Sequence, residues 1–165
     1  MLPTRFELDK RFHRRRYEAR SRRTLDNTLS TADRKTLADA MASTLGRTMH
    51  AQSVPDTKAA VQAGTLVLEP IVLSARWTRP PTRAYTTTNK LDARSKQAGG
   101  AAVRIKAYIV EEGQLVSVAT FEDRWRARLG DGLIRAEIWA DAKQAFQIIS
   151  QRLQKQLKAR GLNHQ

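Results

Sequence analysis

Across residues 31–50 the apolar side chains Leu37, Met41, Leu45 and Met49 recur every four positions, which places all four on one face of a helix. Ser30-Thr31-Ala32-Asp33 opens this stretch. A hydroxyl there can accept from the free amides of the first turn, and Asp33 suits the positive end of the helix dipole. The pattern predicts a helix over 31–50, with Gly46 weakening its last turn and Ser53-Val54-Pro55-Asp56 ending it. A second helical period runs near the other end of the chain. Trp139, Ala142, Phe146, Ile149, Leu153 and Leu157 step by three and four, opposite a polar face that carries Lys143, Gln147, Gln151 and Lys158. This predicts an amphipathic helix over 140–160 lying on a sheet and closed by Gly161.

Between the helices the period changes to two. Residues 65–76 are a nearly continuous aliphatic run, which predicts a buried strand; Pro70 lacks an amide donor, so the strand must lie at an edge or bulge there. Residues 101–110 alternate, with Val103, Ile105, Ala107 and Ile109 on one face and Arg104, Lys106 and Tyr108 on a wet face. After Glu111-Glu112-Gly113-Gln114 the pattern resumes over 115–125, so the two stretches predict an antiparallel hairpin. Glu122 and Arg124 are placed to meet Arg104 and Lys106 across it. Adjacent Glu122 and Asp123 point to opposite faces and do not form an acid–base pair. The predicted fold class is α+β: an antiparallel sheet of three to four strands with two helices packed on one face.

Two stretches have no period. Residues 1–29 mix Arg14, Arg15, Arg16, Arg20, Arg22 and Arg23 with scattered Leu2, Phe6, Leu8, Phe12 and Tyr17, which reads as a basic arm, partly disordered or weakly helical. Within it, 17–25 is the one segment a first strand could occupy. Residues 76–100 hold Pro80-Pro81, Thr86-Thr87-Thr88-Asn89 and Gly99-Gly100, and read as a long basic loop. The organisation is therefore an arm, 1–29, and a single domain, 30–162.

Charge sharpens this picture. The 165 residues include 30 Lys+Arg against 16 Asp+Glu, a formal charge of +14, which favours association with polyanions. The excess is +6 over 1–23, +5 over 76–96 and +5 over 143–165, while 24–75 and 97–142 each come to −1. The candidate polyanion-binding residues are the six arginines of the arm with Arg76, Arg79, Arg83 and Lys90 of the loop. Trp77 and Tyr85 lie among the latter, and cations beside aromatic rings are what single-stranded nucleic-acid sites use. The ordinary alternative is a solvated arm and a loop with Trp77 tucked into the core.

Other chemistry is sparse. With no Cys there is no disulfide, thiolate metal site or catalytic thiol, and no apolar run approaches the ~18 residues of a membrane helix. Residues 1–16 lack the apolar block of a secretion signal. No phosphate-cradling glycine loop or nucleophile elbow is present, and His13, His50 and His164 lie far apart without a companion carboxylate. No catalytic residue, metal site or cofactor is expected.

Three segments carry a family resemblance: Leu29-Ser30-Thr31-Ala32-Asp33-Arg34, Gly113-Gln114-Leu115, and Trp139-Ala140-Asp141-Ala142-Lys143-Gln144-Ala145-Phe146 leading into Gln151-Arg152-Leu153. Over about 29–159 the chain resembles a family of bacterial lipoproteins of unknown function, domain of unknown function thirty-three thirteen. The resemblance implies an α+β domain of the bacterial envelope or periplasm and no catalytic residues. Such proteins are expected to begin with a signal peptide and a lipid-bearing Cys; this sequence shows neither, so a missing start or a cytoplasmic member are the alternatives. The functional expectation is a non-enzymatic envelope-type domain whose basic segments bind an acidic protein or envelope polyanion. The alternative is a cytosolic RNA-binding protein using the arm and the 76–96 loop. Against that alternative, Tyr108 stands alone on its outward strand face, where such sheets carry a pair of aromatics.

Overall fold

The period-two stretches pair as β2 (Leu66–Arg76), β3 (Gly100–Glu111) and β4 (Gln114–Arg126) in a computed structural model that describes residues 1–7, 29–52, 62–76, 99–128 and 137–161. A two-residue strand, β1 (Arg5–Phe6), adds to the free side of β2, so the sheet order is β1-β2-β3-β4. β2, β3 and β4 are antiparallel neighbours, whereas β1 runs parallel to β2. The helices are α1 (Thr31–Met49) and α2 (Ala140–Ala159), and the fold is α+β as the patterns predict. Glu112 and Gly113 both take positive φ in the hairpin turn, and Gly161 does so after α2.

Residues 1–7 depart from the expected arm. Met1 and Leu2 are buried, Leu2 N–H donates to the Leu68 carbonyl at 2.8 Å, and Glu7 N–H donates to the Val72 carbonyl at 3.1 Å. Leu2 and Phe6 give this stretch the apolar area with which it docks. Residues 8–28, with the 17–25 segment, lie outside the described residues.

The carbonyls of Leu68 and Val72 both face the N-terminal segment, so by the strand period the nitrogen of Pro70 faces it too. The missing donor therefore falls toward short β1, not into the β2–β3 ladder, and the ladder's irregularity comes later, between Val72 and Ser74. The proline is one strand in from the edge, against a neighbour too short to need its amide.

α1 begins in a capping box: Asp33 N–H donates to the Ser30 hydroxyl at 3.1 Å and Ser30 N–H donates to the Asp33 carboxylate at 3.2 Å. It ends at His50, which takes a left-handed conformation with φ 51°. Trp139 Nε1–H donates to Asp33 at 2.9 Å and Gln154 donates to the Thr48 carbonyl at 2.7 Å. The start of α1 thus meets the start of α2, and the end of α1 meets the later turns of α2, so the helices run side by side in the same direction. Leu37, Met41 and Leu45 from α1 and Phe146, Ile149 and Leu153 from α2 share one core with Leu68, Val72, Val103 and Ile105 of the sheet.

Candidate polyanion-binding site

The face of the sheet away from the helices is built by register. Arg76 of β2 and Arg126 of β4 both stand opposite Gly100 of β3, forming one row across three strands. In the next row Ser74 and Arg124 stand opposite Ala102. With adjacent strands ~4.8 Å apart, the two arginine Cα atoms of the first row are about 10 Å apart, with no side chain between them. Only glycine fits at the centre. A Cβ on Gly100 would collide with the Trp125 carbonyl oxygen and lie 2.9 Å from Arg126 Cα.

Arg124 and Arg126 are exposed and Arg76 is half-buried. Burial first, and then repulsion from Arg126, hold the Arg76 guanidinium below its ordinary pKa. The two cations of the row therefore feel each other across the glycine. Among the described residues neither Arg124 nor Arg126 has an ion-pair partner.

Acidic groups begin two rows further along. Arg104 is held between Glu122 at 3.0 Å and Glu7 at 3.5 Å. Beyond it, Glu69 accepts from Arg5 and from the Tyr108 hydroxyl, both at 2.8 Å. Burial alone would raise the Glu69 carboxyl, but the hydrogen bonds from Arg5 and Tyr108, with the charges of Arg5 and Lys106, outweigh it and hold it below the usual range. Burial and the bond to Glu69 push the Tyr108 phenol up to about 12. The outer face is thus neutralised in its middle and basic at the Gly100 end. Nor is it uniformly wet, because Ile71, Leu73 and Ala102 are buried there.

The remaining carboxylates near this end hold structure together. Asp141, buried in the first turn of α2, accepts from Gly99 N–H at 2.8 Å and so fixes the residue before Gly100. Asp123 accepts from Arg152 of α2 at 2.9 Å, on the face opposite to Glu122. Asp33 accepts from Ser30 and then Trp139, which holds its carboxyl below the usual range.

Of the residues proposed from sequence, Arg76 lies in this site; Arg14, Arg15, Arg16, Arg20, Arg22, Arg23, Arg79, Arg83 and Lys90 lie outside the described residues, as do Trp77 and Tyr85. Sequence reasoning assigned Arg124 only to ion pairing, and it overlooked Arg126. Arg104 does pair with Glu122, but Arg124 faces Ala102, and Lys106 faces Thr120. The alternation Arg124-Trp125-Arg126 was a signal that two cations share a face. Its alignment with Arg76 required the register.

No family model matches this chain. No curated protein matches it. The solved structure of the hypothetical protein CT253 from Chlamydia trachomatis is similar at 10% identity with a TM-score of 0.40, covering 97% of this chain and 93% of that one, and at that score the likeness carries no argument.

Proposed function

We propose that the chain is a non-enzymatic binding domain that holds an acidic partner at the Gly100 end of its outer sheet face, through Arg76, Arg124 and Arg126. The observation that carries it is the register, which sets Arg76 and Arg126 on either side of Gly100 in one row and Arg124 in the next, with Arg124 and Arg126 exposed. Guanidinium forks favour oxyanions in such a position, because paired N–H donors match paired oxygens. A binding role also suits the neighbouring carboxylates, since Asp33, Asp123 and Asp141 already accept hydrogen bonds that fix the fold. The family resemblance adds an envelope location to the proposal, with the cytoplasm as its alternative.

The test is calorimetric titration with heparin, a sulfated polyanion. Arg124→Gln/Arg126→Gln is expected to weaken binding about tenfold or more, as loss of two charge-assisted contacts implies. Unchanged affinity in this variant would overturn the assignment.

A further inference from the structure

Resting on the acidic-partner reading, we infer that the partner is an acidic polypeptide segment that adds to the sheet as an antiparallel strand along the outer edge of β4, with carboxylates opposite Arg124 and Arg126. β4 is the last strand of the sheet order, and among the described residues nothing pairs with its other edge. The register fixes where its backbone groups point. Ala127 N–H donates to the Gly99 carbonyl at 3.1 Å, so by antiparallel alternation Trp125, Asp123 and Phe121 bond to β3, and the amides and carbonyls of Thr120, Glu122, Arg124 and Arg126 face the free edge. Arg124 shows this directly: its N–H donates to Asp123 Oδ1 at 2.7 Å and not to β3. An open edge of this kind takes up an extended peptide, with main-chain bonds holding the added strand and its alternate side chains selecting it.

The side chains along the edge define the occupant. Arg124 and Arg126 are exposed, have no ion-pair partner among the described residues, and stand ~7 Å apart, the spacing of alternate residues in any strand laid beside them. Glu122, next on that face, is held by Arg104 at 3.0 Å and limits the acidic run to two positions, because like charges directly opposite destabilise a strand pair. On the face toward the helices, Phe121 and Trp125 are only half-buried against the core, and apolar residues of the added strand complete their cover. At Arg124 the partner's carbonyl displaces Asp123 Oδ1, while Asp123 Oδ2 keeps Arg152. A second copy of this chain suits the edge less well, since a charge of +14 repels its like.

The experiment is fluorescence anisotropy with a labelled, capped peptide, Glu-Val-Glu-Ser-Thr-Val-Thr, which sets its glutamates beside Arg126 and Arg124 and its valines beside Trp125 and Phe121. The full-length wild type should bind it, and Arg124→Gln/Arg126→Gln, with its fold checked by circular dichroism, should bind about tenfold more weakly or worse. N-methylation of the glutamates and threonines, whose amides face β4, should abolish binding, whereas N-methylation of the valines, whose amides face away, should leave it intact. Arginine-dependent heparin binding, with the peptide unbound or bound regardless of where it is methylated, would overturn strand addition and leave the acidic-partner reading standing. Sedimentation of the free chain as a dimer, with the amides of Thr120 and Glu122 protected from hydrogen exchange, would give the edge to a second copy and overturn the inference as well. Failure of both heparin and peptide to bind would overturn both readings.

Discussion

A few side chains carry more of this structure than their exposure suggests. Asp33 closes the capping box of α1 and accepts from the Trp139 indole, so it joins the starts of both helices. Asp33→Ala removes a cap and leaves a nearly buried N–H without its acceptor; urea denaturation should show a loss of about 1–3 kcal/mol. Because its folded pKa lies below the ordinary aspartate value of 3.8, its contribution is present above that pH and is lost as pH falls through the folded value. Tyr108 has the opposite dependence. Its phenol ionises near 10.0 when unfolded and about 12 when folded, so its contribution is complete below 10.0 and is lost as pH rises toward 12. Absorbance titration of wild type minus Tyr108→Phe should show one phenol with a midpoint near the upper of those values; a midpoint near 10.0 would dissolve the Glu69–Tyr108 bond.

At the level of elements, α2 is the keystone, since it lies between α1 and the sheet. Phe146 is fully buried at that junction, and Phe146→Ala should cost about 3–5 kcal/mol in thermal or urea unfolding. Gly100→Ala forces a methyl into the β4 backbone and should destabilise by about 1–3 kcal/mol, although glycine-to-alanine at an unstrained strand position would stabilise. The helices and the hairpin were legible from period, because each buries one face and so writes its spacing into the chain, and β2 was legible as a continuous apolar run because it is buried on both faces. β1 was not, since two paired residues are too few to show a period and Arg5 sits beside Phe6. The register was not legible either. Pro70 announced an irregular neighbour, but which strand it faced depends on how the N-terminus docks, a contact between residues more than sixty apart.

For the whole molecule, the same register redistributes the charge. By segment, 97–142 is nearly neutral, yet Asp123 turns inward to Arg152 while Arg124 and Arg126 turn outward beside Arg76. Summation along the chain hid a basic end that folding assembles from β2 and β4. The arm and loop arginines add to the same positive field at long range, so salt dependence alone does not locate the contact. Location is read best from amide chemical shifts of the labelled full chain during titration with heparin. The account predicts that Arg76, Gly100, Ala102, Arg124 and Arg126 shift together and that the amides of α1 stay in place. Shifts centred on the outward turns of the helices, with the Gly100 row unmoved, would contradict it.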